Sequence, residues 1–170
     1  MYNCCLHIYL AGHPCRAFEV IKEMPSLEYF THVFSESVRP DRALASEAEL
    51  ILANLTELDA KEALAALLPD GTDETQVILL ADKEQARLLA GDPDFANYAA
   101  VKDIWISPLS EEEVQFRFSR WQQTCKMSKD YWQTSQYLEA TINNIPNLVW
   151  YKDKNGIHEK VNDSFCRTVN

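Results

Sequence analysis

Ala48-Glu49-Leu50-Ile51-Leu52-Ala53-Asn54-Leu55 is a short apolar run that ends on one polar residue. Residues 50–53 do not alternate as a half-exposed strand would. They suit a strand buried on both faces, as in a parallel sheet covered by helices. In open α/β folds the site lies just outside the carboxyl ends of such strands. Asn54 therefore stands where chemistry is expected, and what occupies that position decides the functional reading.

Outward from this strand the chain alternates. Residues 6–10, 28–35, 77–80 and 101–106 read as further strands. After the first, Gly12-His13-Pro14 breaks the run and Pro14 can begin a helix over 15–24, with Ala17, Phe18, Val20 and Ile21 inward. Pro25 stops it. Residues 40–47 read as a short helix or loop. Asp59 can cap a helix over 60–68 that Pro69-Asp70-Gly71 ends. A helix over 84–89 stops near Gly91-Asp92-Pro93, with a further turn over 94–99. Five strands alternating with helices predict a doubly wound α/β parallel sheet. No glycine-rich loop follows any strand, so neither a Rossmann nor a P-loop nucleotide site is supported.

Bulk composition narrows the classes. With 16 basic and 26 acidic residues the net charge is −10, against a binder of nucleic-acid backbones. No apolar run approaches the roughly 18 residues of a spanning helix, and no basic-then-apolar leader opens the chain; a cytoplasmic location is expected. The five cysteines are odd in number and form no C-x-x-C pair, so no disulfide framework, zinc site, metal or cofactor is expected.

Residues 49–55, the strand 77–80 followed by Ala81, and Asp103-Ile104-Trp105-Ile106-Ser107-Pro108-Leu109 followed by Glu111-Glu112-Glu113-Val114 together resemble a response-regulator receiver domain over roughly residues 4–124. Asn54 and Ala81 are 27 residues apart and Ala81 and Ser107 are 26 apart, similar to the family layout. The resemblance implies a flavodoxin-like five-stranded sheet in the order 2-1-3-4-5.

What it implies for chemistry is negative. A receiver is phosphorylated on an aspartate at the end of its third strand; here that position is Asn54, whose amide is a poor nucleophile. The family's magnesium-binding acidic pair is Ala11-Gly12, which offers no anionic oxygen. The switch hydroxyl is Ala81 and the phosphate-binding lysine is Ser107, so the charge neutraliser is also missing. The expectation is a pseudo-receiver without catalytic residues. His13 at the mouth of this degenerate pocket can be read as a ligand- or pH-sensing group with Asn54 and Ser107, or as a plain loop histidine before a proline. Ser110 is expected to cap the next helix, with Glu111, Glu112 and Glu113 favouring its positive end.

From Glu111 to about 142 no Pro or Gly interrupts a long helix. Val114, Phe118, Trp121, Cys125, Ser128, Trp132 and Ser135 recur in heptad steps. Its first half must cover the receiver-like sheet. Two readings compete for the stripe: packing on its own domain, or a parallel helix pair across a homodimer through Val114, Phe118, Trp121, Cys125 and Trp132. The homodimer is the expectation adopted.

The segment Ile142-Asn143-Asn144-Ile145-Pro146-Asn147-Leu148-Val149-Trp150-Tyr151-Lys152-Asp153-Lys154-Asn155-Gly156-Ile157, then Val161-Asn162-Asp163-Ser164-Phe165-Cys166, looks like the opening of a PAS domain. Asp153 to Gly156 forms its hairpin turn, with glycine supplying a positive φ. The organisation expected is a receiver-like domain over 1–124, a connecting helix over 111–141 that overlaps it, and a truncated PAS domain over 142–170. This PAS opening is similar to those ahead of GGDEF diguanylate cyclase domains, sometimes followed by EAL. The resemblance therefore implies a non-catalytic regulatory and dimerisation module of a bacterial cyclic di-GMP signalling protein, with a sensor histidine kinase or a small-ligand sensor as alternatives.

Overall fold

The computed structural model describes residues 4–68, 75–93, 95 and 98–169. The chain divides into two compact units, Met1–Gln122 and Gln123–Asn170.

In the first unit, β1 (Cys4–Ala11), β2 (Phe30–Ser37), β3 (Leu50–Asn54), β4 (Gln76–Ala81) and β5 (Val101–Ile106) form one parallel sheet in the order β2-β1-β3-β4-β5. The doubly wound architecture is the one that the alternation of strands and helices predicts, and the order 2-1-3-4-5 is the one that the receiver resemblance implies. β3 is central, with Ile51 paired to Tyr9 of β1 and to Val77 of β4. All five of its residues are buried, as its unbroken apolar run requires.

The helices of this unit are α1 (Arg16–Glu23), α2 (Arg42–Glu47), α3 (Ala60–Leu67), α4 (Lys83–Ala90) and the start of α5 (Glu111–Asn143). Alternation along the strands splits the core into two layers. Tyr9, Ile51, Val77 and Leu79 belong to one cluster with Ala45 of α2, Ala63, Leu64 and Leu67 of α3, and Ala86 and Leu89 of α4. The opposite layer carries Gln76, whose Oε1 accepts from Trp121 Nε1 of α5 at 2.9 Å. Arg16 at the start of α1 pairs with Glu111 at the start of α5, at 2.6 Å. Each large aliphatic side chain sealed in these layers contributes about 1.5–3 kcal/mol.

Helix starts follow the capping chemistry of the sequence. Asp59 Oδ1 accepts from Lys61 N and Glu62 N at 3.0 Å each, Asp82 forms a reciprocal box with Gln85, and Ser110 Oγ accepts from Glu113 N at 3.2 Å. Several boundaries differ from the sequence reading by one or two residues, and two of them have a local cause. Pro14 does not open α1: Cys15 is the extended N-cap residue and the helix begins at Arg16. β2 starts at Phe30 and not at residue 28, because Phe30 N bonds back to Leu27 O and Tyr29 takes φ 71°, closing a turn before the strand. The expected break at 69–71 lies outside the described residues, as do 94, 96 and 97 of the expected turn.

The second unit holds the remainder of α5, an antiparallel hairpin of β6 (Trp150–Lys152) and β7 (His158–Val161), and α6 (Asp163–Val169). Asp153 Oδ1 accepts from Asn155 N at 2.9 Å and Ile157 N at 2.8 Å, and Gly156 takes φ 85°, which makes the predicted turn. Among the described residues, no helix is long and apolar enough to cross a membrane.

Candidate functional site at the carboxyl end of the third strand

β3 delivers Asn54 to the edge of the sheet with only 6 % of its surface exposed. Its side chain is fully engaged. Nδ2 donates to the His13 carbonyl oxygen at 2.8 Å. Oδ1 accepts from Thr56 N at 3.2 Å and from the Thr56 hydroxyl at 2.6 Å. The Asn-x-Thr spacing makes the second half of this arrangement a local turn, in which the side chain bonds the backbone two residues on. The first half is long-range and ties the loop after β1 to the end of β3.

Gly12 makes that tie feasible. It takes φ 105°, and a Cβ built on it would lie 2.4 Å from the Asn54 carbonyl oxygen. No side chain fits there without moving backbone, so the position cannot present a carboxylate in this loop geometry. Ala11 beside it is fully buried.

The remaining positions singled out from the sequence fall around this centre. Ala81, at the end of β4, is buried, and its carbonyl accepts from Ser107 N at 2.8 Å. Ser107 itself is exposed. His13 meets Asn54 through its carbonyl, while its imidazole Nε2 turns to Glu57 Oε2 at 2.9 Å in a half-exposed pair. The expected grouping of His13, Asn54 and Ser107 is thus represented by one backbone contact between His13 and Asn54. Thr56 is the site residue that sequence reasoning missed, with the Asn-x-Thr spacing as the available signal; Glu57, which the sequence alone assigns to a solvated face, is the partner of the His13 ring. Gln85 also contributes, its Nε2 donating to the Leu55 carbonyl at 2.7 Å.

Chemically, the centre presents a carboxamide at position 54, with the hydroxyls of Thr56 and Ser107 on the flanking positions. Among the described residues, no three of His, Cys, Asp and Glu converge to hold a metal ion. A burial effect raises the Cys15 thiol, opposed in part by backbone hydrogen bonds from Phe18 and Ala17, so it is held in the less nucleophilic protonated form.

The stripe on α5 is divided. Val114, Phe118 and Trp121 are buried, with Phe118 and Trp121 stacked at 5.5 Å between ring centres. His32 of β2 packs edge-on to Phe118 and Gln76 of β4 binds Trp121, so this part of the expected homodimer seam is already covered by the chain's own sheet. Cys125 is buried as well. Trp132 is 62 % exposed, and Met127, Tyr131, Tyr137 and Leu138 are exposed with it.

No protein-family model matches this sequence, and no curated protein matches it.

Proposed function

We propose that this chain is a non-catalytic regulatory and dimerisation module of a bacterial signal-transduction protein. In this reading a receiver-like sheet that takes no phosphoryl group acts through α5 on a PAS domain, and through it on a diguanylate cyclase output. The observation that carries the reading is the state of Asn54. It occupies the carboxyl end of the central strand of a 2-1-3-4-5 sheet, where a receiver would be phosphorylated, and both ends of its amide are committed to His13 and Thr56. Gly12 supports it, since the loop that would bring magnesium ligands is pressed against the Asn54 carbonyl. The vacated-pocket sensor reading finds less support, because the Asn54 amide is bonded to His13 and Thr56 and the His13 ring to Glu57. The dimer is assigned to the exposed residues of α5, Trp132 among them, and not to Trp121.

Intact-mass analysis after incubation with acetyl phosphate and Mg²⁺ tests the phosphorylation half: the expected result is no hydroxylamine-sensitive phosphoryl adduct. Light scattering tests the other half. A dimer that Trp132→Glu weakens is expected, and a monomer at every concentration would remove the dimerisation role.

A further inference from the structure

The contact between β2 and α5 contains a buried polar atom that the fold leaves unsatisfied. His32 Nε2 is the buried side-chain nitrogen or oxygen without a hydrogen-bond partner among the described residues. An orphan of this kind calls for an explanation, because a buried polar group normally finds a partner. The imidazole sits edge-on to two aromatic rings, Phe34 of its own strand at 5.9 Å and Phe118 of α5 at 5.7 Å. Its polar neighbour is the Gln122 side chain, whose influence favours the protonated ring and opposes the larger effect of burial. Gln122 is 4 % exposed, and its Oε1 also accepts from Leu27 N at 3.2 Å in the turn before β2. The His32–Phe118 ring contact therefore fastens α5 to β2, and the Gln122–Leu27 bond fastens it to the turn that precedes β2.

We propose that His32 is a proton-operated latch: neutral, it holds residues 114–122 of α5 on β2, and protonated, it releases them.

The physical cause is the second N–H that protonation creates. In the neutral ring Nε2 carries a lone pair that tolerates apolar surroundings. In the imidazolium it becomes a charged donor at a buried position, where burial outweighs the Gln122 contribution that favours the charge. Burial accordingly lowers the His32 pKa, with the Gln122 side chain opposing the shift. The charged groups on the elements packed around it do not compensate. Glu36 of β2 pairs with Lys22 of α1. Glu28 and Arg120 are exposed, on the turn before β2 and on α5 respectively. On β1 the register partner of His32 is the apolar Leu6; its neighbours Cys5 and His7 point to the other face of the strand, and the Cys4 thiol on the same face donates to the Cys5 carbonyl at 3.6 Å. Because the packed state binds the proton less well than the open state, the contact is strongest above the ordinary histidine value of about 6.5 and weakens as pH falls below it toward the lowered value.

This inference rests on the packing of α5 and does not depend on the receiver resemblance. Hydrogen exchange of the whole chain, followed by mass spectrometry from about pH 7.5 to about pH 5.5 and corrected for intrinsic exchange, tests it. In the unsubstituted protein, opening at 111–122 and in β2 is expected to increase as pH falls, by no more than about tenfold per pH unit for one proton. His32→Phe keeps a ring against Phe34 and Phe118 and removes the titration; its opening should be flat across the same range. Equal pH profiles in the two proteins overturn the latch. Should His32→Phe fail to fold, an NMR titration of the His32 ring decides: a midpoint below the ordinary histidine value of about 6.5 that tracks the exchange supports it, and a midpoint at or above that value overturns it. Neither outcome bears on whether Asn54 can be phosphorylated.

Discussion

The Asn54 amide donates to the His13 carbonyl oxygen at 2.8 Å, across 41 residues of sequence. This single bond fixes the loop after β1 against the end of β3, and it requires a donor at position 54. An aspartate there would turn a carboxylate oxygen toward the carbonyl and leave both acceptors facing one another.

Asn54→Asp is therefore expected to destabilise the protein by about 1–3 kcal/mol near neutral pH, the range for stranding a buried polar partner. It should also remain unphosphorylated by acetyl phosphate with Mg²⁺. Urea unfolding measures the first effect and intact mass the second. Adding Gly12→Asp should not rescue phosphorylation, because a Cβ at that position meets the Asn54 carbonyl at 2.4 Å and the backbone there has φ 105°. Efficient adduct formation by the double variant would show that the loop can move aside.

The two tryptophans of the α5 stripe should behave oppositely. Trp121 is 9 % exposed, stacks on Phe118 and donates to Gln76. Truncation to Ala removes a large buried ring and leaves Gln76 Oε1 without this donor, at a cost of about 3–5 kcal/mol. Trp132 is 62 % exposed, so within one chain Trp132→Ala should change stability by no more than about 0.5 kcal/mol. Denaturant midpoints at low protein concentration, where association does not contribute, separate the pair.

Acid should loosen the hairpin turn. Backbone hydrogen bonds led by Ile157 hold the Asp153 carboxyl below its ordinary value. The depressed value means the folded turn binds the proton less well than the open one. Its contribution is thus complete above the ordinary carboxylate range and is lost as pH falls through the lowered Asp153 value. The amide resonances of Asn155 and Ile157, both donors to Asp153 Oδ1, should shift together in that acid range. Asp153→Asn should abolish the transition while keeping an acceptor in the turn.

Much of this architecture was legible because its signals are local. The unbroken apolar run 50–53 marked the central strand, and residues 101–106 read as a strand that the structure places at Val101–Ile106. Asp59 and Ser110 marked helix starts by cap chemistry. What was not legible depends on distant partners. The stripe of α5 has the same spacing whether it meets its own sheet or a second chain. The pairing of Trp121 with Gln76, 45 residues away, and the packing of Phe118 against His32 decide for this part of it. The site was half legible in the same sense. The residue at 54 was visible and the Asn-x-Thr turn was readable, but the bond to the His13 carbonyl depends on a loop conformation set by Gly12. The β2 boundary failed because a non-glycine residue, Tyr29, adopts φ 71°, which no propensity rule anticipates.

Asn162 is the most heavily bonded side chain of the second unit and gives the sharpest test there. It is fully buried. Its Nδ2 lies within 3.2 Å of the carbonyl oxygens of Ile142 and Ile145 and 2.9 Å from that of Asn147. Its Oδ1 accepts from Val149 N at 3.1 Å and Phe165 N at 3.0 Å. One amide thus joins the end of α5, the strand entry and the start of α6. A leucine of similar size would leave the partly buried N–H groups of Val149 and Phe165 without this acceptor and the Asn147 carbonyl without this donor, while the Ile142 and Ile145 carbonyls keep Ile145 N and Ser164 Oγ. An aspartate would keep the two acceptor contacts but turn an anion toward the carbonyls. Both substitutions should raise hydrogen exchange at Val149 and Phe165, with Asn162→Leu losing protection at both amides and Asn162→Asp retaining more of it. The loss should reach at least about 1–3 kcal/mol of local stability for the leucine variant, the cost of unsatisfied buried groups. Exchange at 30–37 in the first unit should not change, since β2 shares none of these bonds. Unaltered protection of Val149 and Phe165 in the leucine variant would mean that the strand entry and α6 are held by packing and not by this amide.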